Sequence, residues 1–184
     1  MERYRLVFSG SGGQGVITAA IIMAQSAVVH ENLNAVQSQS YGAAARGGST
    51  RSDVIISNDS IDFPKVIQPN GLICLTQTAY DKFHHIVRPG GLLITDTRWV
   101  DTSHKADAIQ VELPLYETVM EKIGKPIVFN ICMLGAVIAL TRLVKPQSIV
   151  ATLTKRIPGS FLKMNNQALE LGMELAAPFI SDVN

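Results

Sequence analysis

The residues best suited to chemistry form a glycine-rich run near the amino terminus, Gly10-Ser11-Gly12-Gly13-Gln14-Gly15, which we call the glycine turn. It fits the pattern G-x-G-x-x-G and lies between a short apolar run and a helical pattern. There the first glycine permits a tight turn, the second lets a ligand approach the backbone, and the third allows the helix to pack closely on the sheet. Backbone N–H groups at the positive end of the helix dipole would then bind a phosphate or pyrophosphate. The alternative is a glycine turn that joins strand to helix without a ligand.

The residues after the glycine turn restrict the kind of phosphate ligand. A dinucleotide-binding unit usually carries Asp or Glu about 20 residues further on, where it holds the ribose. The corresponding region, Ala35 to Ser40, has neither a carboxylate nor an arginine, and Glu31 precedes the predicted strand. No Lys-Ser or Lys-Thr follows the turn, which excludes the triphosphate-binding P-loop. Ordinary NAD binding is therefore disfavoured, and ATP or GTP chemistry of the P-loop type is excluded.

A second unusual stretch, Gln39 to Ser49, is rich in small residues and contains Tyr41 and Arg46, the latter followed by Gly47 and Gly48. We expect it at the carboxyl edge of the second strand, where ligands bind in open α/β sheets. An aromatic face, a guanidinium group and two glycines would suit an anionic or adenine-bearing ligand, or a carboxylate on a partner chain. The alternative is a flexible surface loop with a solvated arginine.

Strand-like and helix-like patterns alternate along the chain, which predicts an α/β fold of three layers with a mostly parallel central sheet. The first βαβ unit is expected to be Rossmann-like, and strand order cannot be derived from the sequence. Without an internal repeat or low-complexity linker, residues 1–184 are expected to form a single domain. Strands are predicted over Tyr4–Phe8, Asn32–Gln37, Val54–Ile56, Gly71–Thr76, Gly91–Thr95 and Ala108–Leu113. Helices are predicted over Val16–Val29, Ala79–Val87, Asn130–Val144 and Phe161–Ala177, with a further helix beginning at Pro146.

Composition excludes several classes of protein. The 184 residues include 16 basic and 15 acidic side chains without a basic run, which argues against nucleic-acid binding. The longest apolar run, Ile131 to Leu140, is half of the roughly 20 residues that cross a bilayer, so no membrane association is expected. Two cysteines, Cys74 and Cys132, cannot supply the thiolates of an ordinary iron–sulfur cluster. Together with the lack of a signal sequence, these features favour a cytoplasmic protein.

Other polar residues are better explained by structure than by chemistry. His84 and His85 are adjacent in a predicted helix, so their side chains diverge by about 100° and cannot chelate a metal ion together. Asp96 follows a strand, where an aspartate more often caps a turn than binds a ligand. Asn130 is expected to cap a helix rather than to act as a catalytic amide. Accordingly, no catalytic residue and no metal site is predicted in this chain.

The two motifs together resemble the gamma subunit of the 2-oxoacid:ferredoxin oxidoreductases, thiamine-diphosphate enzymes that make acyl-CoA from 2-oxoacids. The glycine turn is similar to the family's Gly-x-Gly-Gly-Gln-Gly signature. The second stretch is similar to its Ser-Tyr-Gly-x-x-x-Arg-Gly-Gly signature. Further similar segments are Arg51–Ser57, Ile61–Pro64, and Asn130 with Met133–Ala136. The 2-oxoglutarate branch is the nearest in resemblance and the indolepyruvate branch the near alternative, although Ala43-Ala44-Ala45 departs from the Pro-Glu-Ala common in the former.

The resemblance implies a subunit, inactive alone, of an enzyme that converts a 2-oxoacid and coenzyme A to acyl-CoA and CO2 with reduction of ferredoxin. It implies a shared site for coenzyme A, with the backbone amides of Ser11 to Gly15 on the phosphates and Tyr41 and Arg46 nearby. Thiamine diphosphate, Mg²⁺ and the iron–sulfur clusters would lie on thiamine-binding alpha and beta subunits and on a ferredoxin-like delta subunit or ferredoxin, in a hetero-oligomer. The alternatives are a free-standing NAD- or FAD-dependent dehydrogenase and a purely structural assembly subunit.

Overall fold

The computed structural model of the chain describes residues 3–41, 49–103 and 106–183, without the side chain of Tyr41. Within these ranges the chain forms six strands and seven α-helices; two of the helices lie between strands, and five follow the last strand. The strands are Tyr4–Gly10 (β1), Asn34–Tyr41 (β2), Thr50–Ser57 (β3), Gly71–Cys74 (β4), Gly91–Asp96 (β5) and Ala108–Leu113 (β6). The helices are Val16–His30 (α1), Gln77–Phe83 (α2), Leu115–Lys122 (α3), Phe129–Thr141 (α4), Pro146–Arg156 (α5), Gly159–Ala176 (α6) and Ile180–Val183 (α7).

The six strands form one sheet in the order β2-β3-β1-β4-β5-β6. Strands β1, β4, β5 and β6 are parallel, whereas β3 runs antiparallel to both of its neighbours, β1 and β2. The mostly parallel sheet of the sequence analysis is therefore confirmed. In the first βαβ unit, however, β1 and β2 are not adjacent, because β3 is inserted between them.

Each face of the sheet is covered by its own helices, which confirms the three-layer architecture. Side chains alternate along a strand, so Leu6 and Phe8 of β1 join the core formed with α1 and α4. The intervening Val7 faces the opposite side, where it belongs to the smaller core that includes Tyr80 of α2. Cys74 and Cys132 are buried in opposite cores, as expected of core thiols.

Helix α4 is buried along almost its whole length because α6 packs against its outer side. The two helices touch backbone to backbone at two glycines. A Cβ at Gly135 would overlap the carbonyl oxygen of Leu169, and a Cβ at Gly172 would overlap the carbonyl oxygen of Cys132. The glycine within the Met133–Ala136 segment is thus required by the packing of α4 on α6.

The residue that caps a helix in the structure is not the one that the sequence predicted. Asn130 does not cap α4, which begins at Phe129 without a side-chain cap. Glu31, which the sequence analysis set aside, caps α5: its Oε1 accepts hydrogen bonds from the Lys145 backbone N–H at 2.9 Å and the Ser148 hydroxyl at 2.6 Å. Burial raises the pKa of Glu31, but these hydrogen bonds and the charge of Lys145 outweigh it and lower the pKa below its ordinary value.

Asp96 is fully buried at the end of β5 and has a structural role, as its position suggested. One carboxylate oxygen accepts from the N–H of Arg98 at 2.9 Å, and the other accepts from the N–H of Tyr116 at 2.8 Å. Burial raises the pKa of this carboxyl group, although the two N–H donors oppose the shift. The side chain therefore joins the turn after β5 to the first turn of α3.

The described residues contain no group of three His, Cys, Asp or Glu side chains that could hold a metal ion. In the same part of the chain, none of the helices has the length and hydropathy to cross a membrane.

Candidate functional site

The glycine turn connects β1, which ends at Gly10, to α1, which begins at Val16. Gly13 and Gly15 have φ values of +90° and +73°, in the left-handed region that favours glycine. Among the described residues, no heavy atom other than those of the adjoining residues lies within 4 Å of the position that a Cβ would take at Gly12 or Gly13. The backbone at these two residues is thus exposed beside the amino terminus of α1, where a ligand can approach it.

The side chain of Gln14 holds the glycine turn in shape. Its Oε1 accepts a hydrogen bond from the Ser11 N–H at 2.8 Å, and its Nε2 donates to the Leu75 carbonyl at 3.2 Å. A Cβ at Gly10 would lie 2.5 Å from this Oε1, so Gly10 makes room for the Gln14 amide. Gln14 therefore ties the turn to the end of β4, a role that the G-x-G-x-x-G pattern does not indicate.

The expectation was that all backbone amides from Ser11 to Gly15 face a phosphate, and two of these N–H groups already have acceptors within the turn. The Ser11 N–H is engaged by Gln14, and the Gln14 N–H donates to the Ser11 carbonyl at 3.3 Å. Within the described residues, the N–H groups of Gly12, Gly13 and Gly15 have no acceptor. Together with the first-turn amides of α1, which lack intrahelical partners, they are the donors available to an anion.

The sequence predicted that glycine at position 15 allows α1 to pack closely on the sheet. In the structure, glycine is needed there because a side chain would overlap α4. The Asn130 amide nitrogen lies 2.7 Å from the position of a Cβ at Gly15, whose positive φ adds a second reason for glycine. The same nitrogen donates to the Gly15 carbonyl at 3.4 Å. Asn130 is thus neither a helix cap nor a free amide, but a contact between α4 and the glycine turn.

A cleft of about 390 Å³ opens beside the glycine turn, between α1, α4 and the first turns of α6. Its lining is mostly apolar and includes Ile127 and Phe161, which are 76% and 49% exposed. The amides of Asn130 and Asn165 are among its polar groups. Sequence analysis missed this cleft, because residues 127 and 161 are far from the glycine turn along the chain. The arrangement can receive an anion at the turn and an apolar group beside it.

The second motif is only partly within the described residues. Residues 42–48, which include Arg46, Gly47 and Gly48, lie outside them, as does the side chain of Tyr41. The strands on either side are described, and Thr50 of β3 is the register partner of both Tyr41 and Gly10. The connection 42–48 therefore starts and ends at the sheet edge that carries the glycine turn.

Known proteins match this chain over nearly its full length. The family model described as pyruvate ferredoxin/flavodoxin oxidoreductase matches residues 5–175. The 2-oxoglutarate synthase subunit KorC of Methanocaldococcus jannaschii is 40% identical over 176 residues, covering 95% of this chain and 94% of that protein. The crystal structure of the keto/oxoacid ferredoxin oxidoreductase gamma subunit from Geobacter sulfurreducens is 37% identical with a TM-score of 0.89, covering 97% of this chain and 98% of that one.

A third match shows the fold alone. The 2-oxoglutarate:ferredoxin oxidoreductase of Magnetococcus marinus, solved with 2-oxoglutarate, coenzyme A and succinyl-CoA bound, is 17% identical with a TM-score of 0.85. The match covers 97% of this chain and 32% of that one, so the fold also occurs as one part of a longer polypeptide. The resemblance of this chain to a gamma subunit of a 2-oxoacid:ferredoxin oxidoreductase is confirmed by its similarity to the Geobacter sulfurreducens structure. The chain belongs to the pyruvate ferredoxin/flavodoxin oxidoreductase family.

Proposed function

We propose that this chain is the gamma component of a 2-oxoglutarate:ferredoxin oxidoreductase. The complex would convert the 2-oxoacid and coenzyme A to acyl-CoA and CO2, and the electrons released would reduce ferredoxin. The proposal is supported by the name of the relative from Methanocaldococcus jannaschii, a 2-oxoglutarate synthase subunit. It is also supported by the ligands of the Magnetococcus marinus structure that shares this fold.

The contribution of this chain would be part of the coenzyme A site. The observation that supports it most strongly is the open backbone of Gly12 and Gly13 at the start of α1. Their N–H groups and the helix dipole suit a pyrophosphate. Arg46 and Tyr41 would lie nearby, since their chain segment begins and ends beside Gly10.

The cofactors for decarboxylation and electron transfer are proposed to lie on partner subunits. Burial raises the pKa of Cys132 to about 12 and that of Cys74 further. Both thiols are therefore protonated at neutral pH, a form that neither attacks carbonyl carbon nor ligates iron well. Thiamine diphosphate with Mg²⁺ would be bound by alpha and beta subunits, and iron–sulfur clusters by a ferredoxin-like delta subunit or ferredoxin.

The test is reconstitution of the complex with the thiamine- and cluster-bearing subunits, followed by ferredoxin reduction at varied coenzyme A concentration. Gly12→Val should raise the KM for coenzyme A about tenfold or more, since a branched side chain blocks approach to the backbone, while assembly is unchanged. The matched control Gly12→Ala should have a much smaller effect. Arg46→Ala should also raise this KM. Loss of assembly with an unchanged KM would instead favour a purely structural subunit.

Two further measurements separate the remaining alternatives. Calorimetric titration of the isolated chain with NAD and FAD should show no tight binding, because no ribose-binding carboxylate follows the glycine turn. Tight binding of either would favour a free-standing dehydrogenase. In the reconstituted complex, kcat/KM should be higher for 2-oxoglutarate than for indolepyruvate, and the reverse order would assign the chain to the indolepyruvate branch.

A further inference from the structure

A second surface with binding character lies on the α2 side of the sheet, away from the glycine turn. Its centre is the segment 63–67, which we call the ridge, and a depression lies on each side of it. The first depression, of about 480 Å³, is at the amino ends of β1, β4 and β5 and is lined by Arg5, Lys65 and Arg88. The second, of about 530 Å³, lies over β2 and β3.

Most of the charged side chains that line the two depressions are basic. The second depression adds Arg51 and Lys82 to the cations, and Asp53 is the acidic side chain in its lining. This aspartate is already paired with Arg51 at 2.6 Å. Within the described residues, Arg5, Lys65, Lys82 and Arg88 form no ion pair with an acidic side chain. The surface therefore has a local excess of positive charge, although the whole chain has a net charge of only +1.

The ridge itself exposes two large apolar side chains between these cations. Phe63 is 56% exposed and Ile67 is 74% exposed. Apolar anchors surrounded by a polar or charged rim are typical of protein–protein interfaces. A small anion bound in either depression would leave both side chains in water, so a polypeptide is the better occupant.

Hydrogen bonds from β2 and β3 hold the backbone of the ridge against the sheet. Asp53 accepts a hydrogen bond from the Val66 N–H at 2.9 Å, and Arg51 donates to the Val66 carbonyl. The Ser38 hydroxyl donates to the Pro64 carbonyl at 2.9 Å, and the Val66 side chain is buried in the core beneath. A preorganised surface loses little conformational entropy on binding.

We propose that the ridge and its flanking cations bind an acidic segment of a partner subunit, one that also carries an apolar side chain. The inference rests on the proposed function, because it requires a hetero-oligomer. It adds a contact for assembly away from the cleft beside the glycine turn, since the residues that line the two depressions differ from those that line the cleft.

The first test measures the affinity of this chain for the co-purified thiamine- and cluster-bearing subunits. Lys65→Glu/Arg88→Glu should weaken binding at least tenfold, and Phe63→Ser should weaken it as well. The control Lys122→Glu/Lys155→Glu, which changes the net charge equally at exposed helix positions, should have little effect. Wild-type affinity should fall as salt is raised, and the Lys65→Glu/Arg88→Glu variant should respond less. At subunit concentrations that restore full assembly, the KM for coenzyme A should be unchanged.

The second test places the photocrosslinker p-benzoylphenylalanine at position 63 in the purified complex. The crosslink should map to an Asp- and Glu-rich segment of a partner subunit. A crosslink to a second copy of this chain or to nucleic acid would overturn the proposal. Equal affinities of the Lys65→Glu/Arg88→Glu variant and the Lys122→Glu/Lys155→Glu control would overturn it as well. If the wild-type chain binds none of the partner subunits, the proposed function itself fails. If the wild-type chain binds them and the Lys65→Glu/Arg88→Glu and Phe63→Ser variants bind equally well, only this inference fails.

Discussion

Asn130 of α4 fills the space that a side chain at Gly15 would need, with its amide nitrogen 2.7 Å from the Cβ position. Two residues separated by most of the chain thus fix the start of α1, which carries the backbone amides of the candidate site. Helix α4 is almost entirely buried, so the glycine turn is positioned by the core and not only by its own glycines.

Two glycines of the glycine turn, Gly12 and Gly15, should differ sharply in their tolerance of alanine. Gly15→Ala should lower the free energy of unfolding by about 2–4 kcal/mol, because alanine disfavours the left-handed region and would press against Asn130. Gly12→Ala, with open space around the new Cβ, should change it by less than about 0.5 kcal/mol. Urea denaturation of the isolated chain measures both. Equal effects would show that Asn130 does not restrict the turn.

A second prediction concerns the Gln14 side chain. Gln14→Ala should destabilise the chain by about 1–3 kcal/mol, since the Ser11 N–H and the Leu75 carbonyl both lose a partner. Hydrogen exchange at the Ser11 amide should accelerate in the same variant. Gln14→Glu, which keeps an acceptor for Ser11 but cannot donate to Leu75, should leave Ser11 protected and still be destabilised. Unchanged exchange at Ser11 in Gln14→Ala would contradict the bond.

A third prediction follows from the backbone contact between α4 and α6. Gly135→Ala and Gly172→Ala should each cost about 3 kcal/mol or more, because a methyl group would force the two helices apart. The matched control is Gly159→Ala, at an open position in the first turn of α6, where the change should be small. Thermal unfolding followed by circular dichroism compares the three, and a Gly135→Ala variant as stable as the control would refute the close approach.

The fourth prediction is a pH dependence at Glu31. Its pKa in the folded chain lies below the ordinary value of 4.5, so its ionised form stabilises the fold above that pH. At neutral pH, Glu31→Gln should be about 1–2 kcal/mol less stable than wild type, since the carboxylate caps α5. The difference should shrink as the pH falls below 4.5 and through the folded-state pKa.

The control for Glu31 is Glu121→Gln: the Glu121 side chain is 73% exposed and forms an ion pair only with Lys122 among the described residues. Exposed ion pairs contribute little, so this variant should follow the wild-type pH curve. A constant difference between wild type and Glu31→Gln from neutral to acidic pH would show that the cap does not depend on ionisation.

Local patterns in the sequence predicted individual elements well. The glycine turn, the helix after it and the strand Ala108–Leu113 follow from periodicity and turn residues alone. The direction of β3 cannot be predicted in this way, because a buried run such as Val54–Ile56 has the same composition in parallel and antiparallel pairs. The roles of Asn130 and Glu31 were also missed, since each contacts a residue more than a hundred positions away.

The inserted strand β3 has a structural consequence for how this fold can diversify. Because β2 runs towards the glycine turn and β3 returns from it, residues 42–48 can change in length or composition without shifting the register of either strand. Grafting this segment from a relative should therefore leave the free energy of unfolding of the chain nearly unchanged, which urea denaturation would measure.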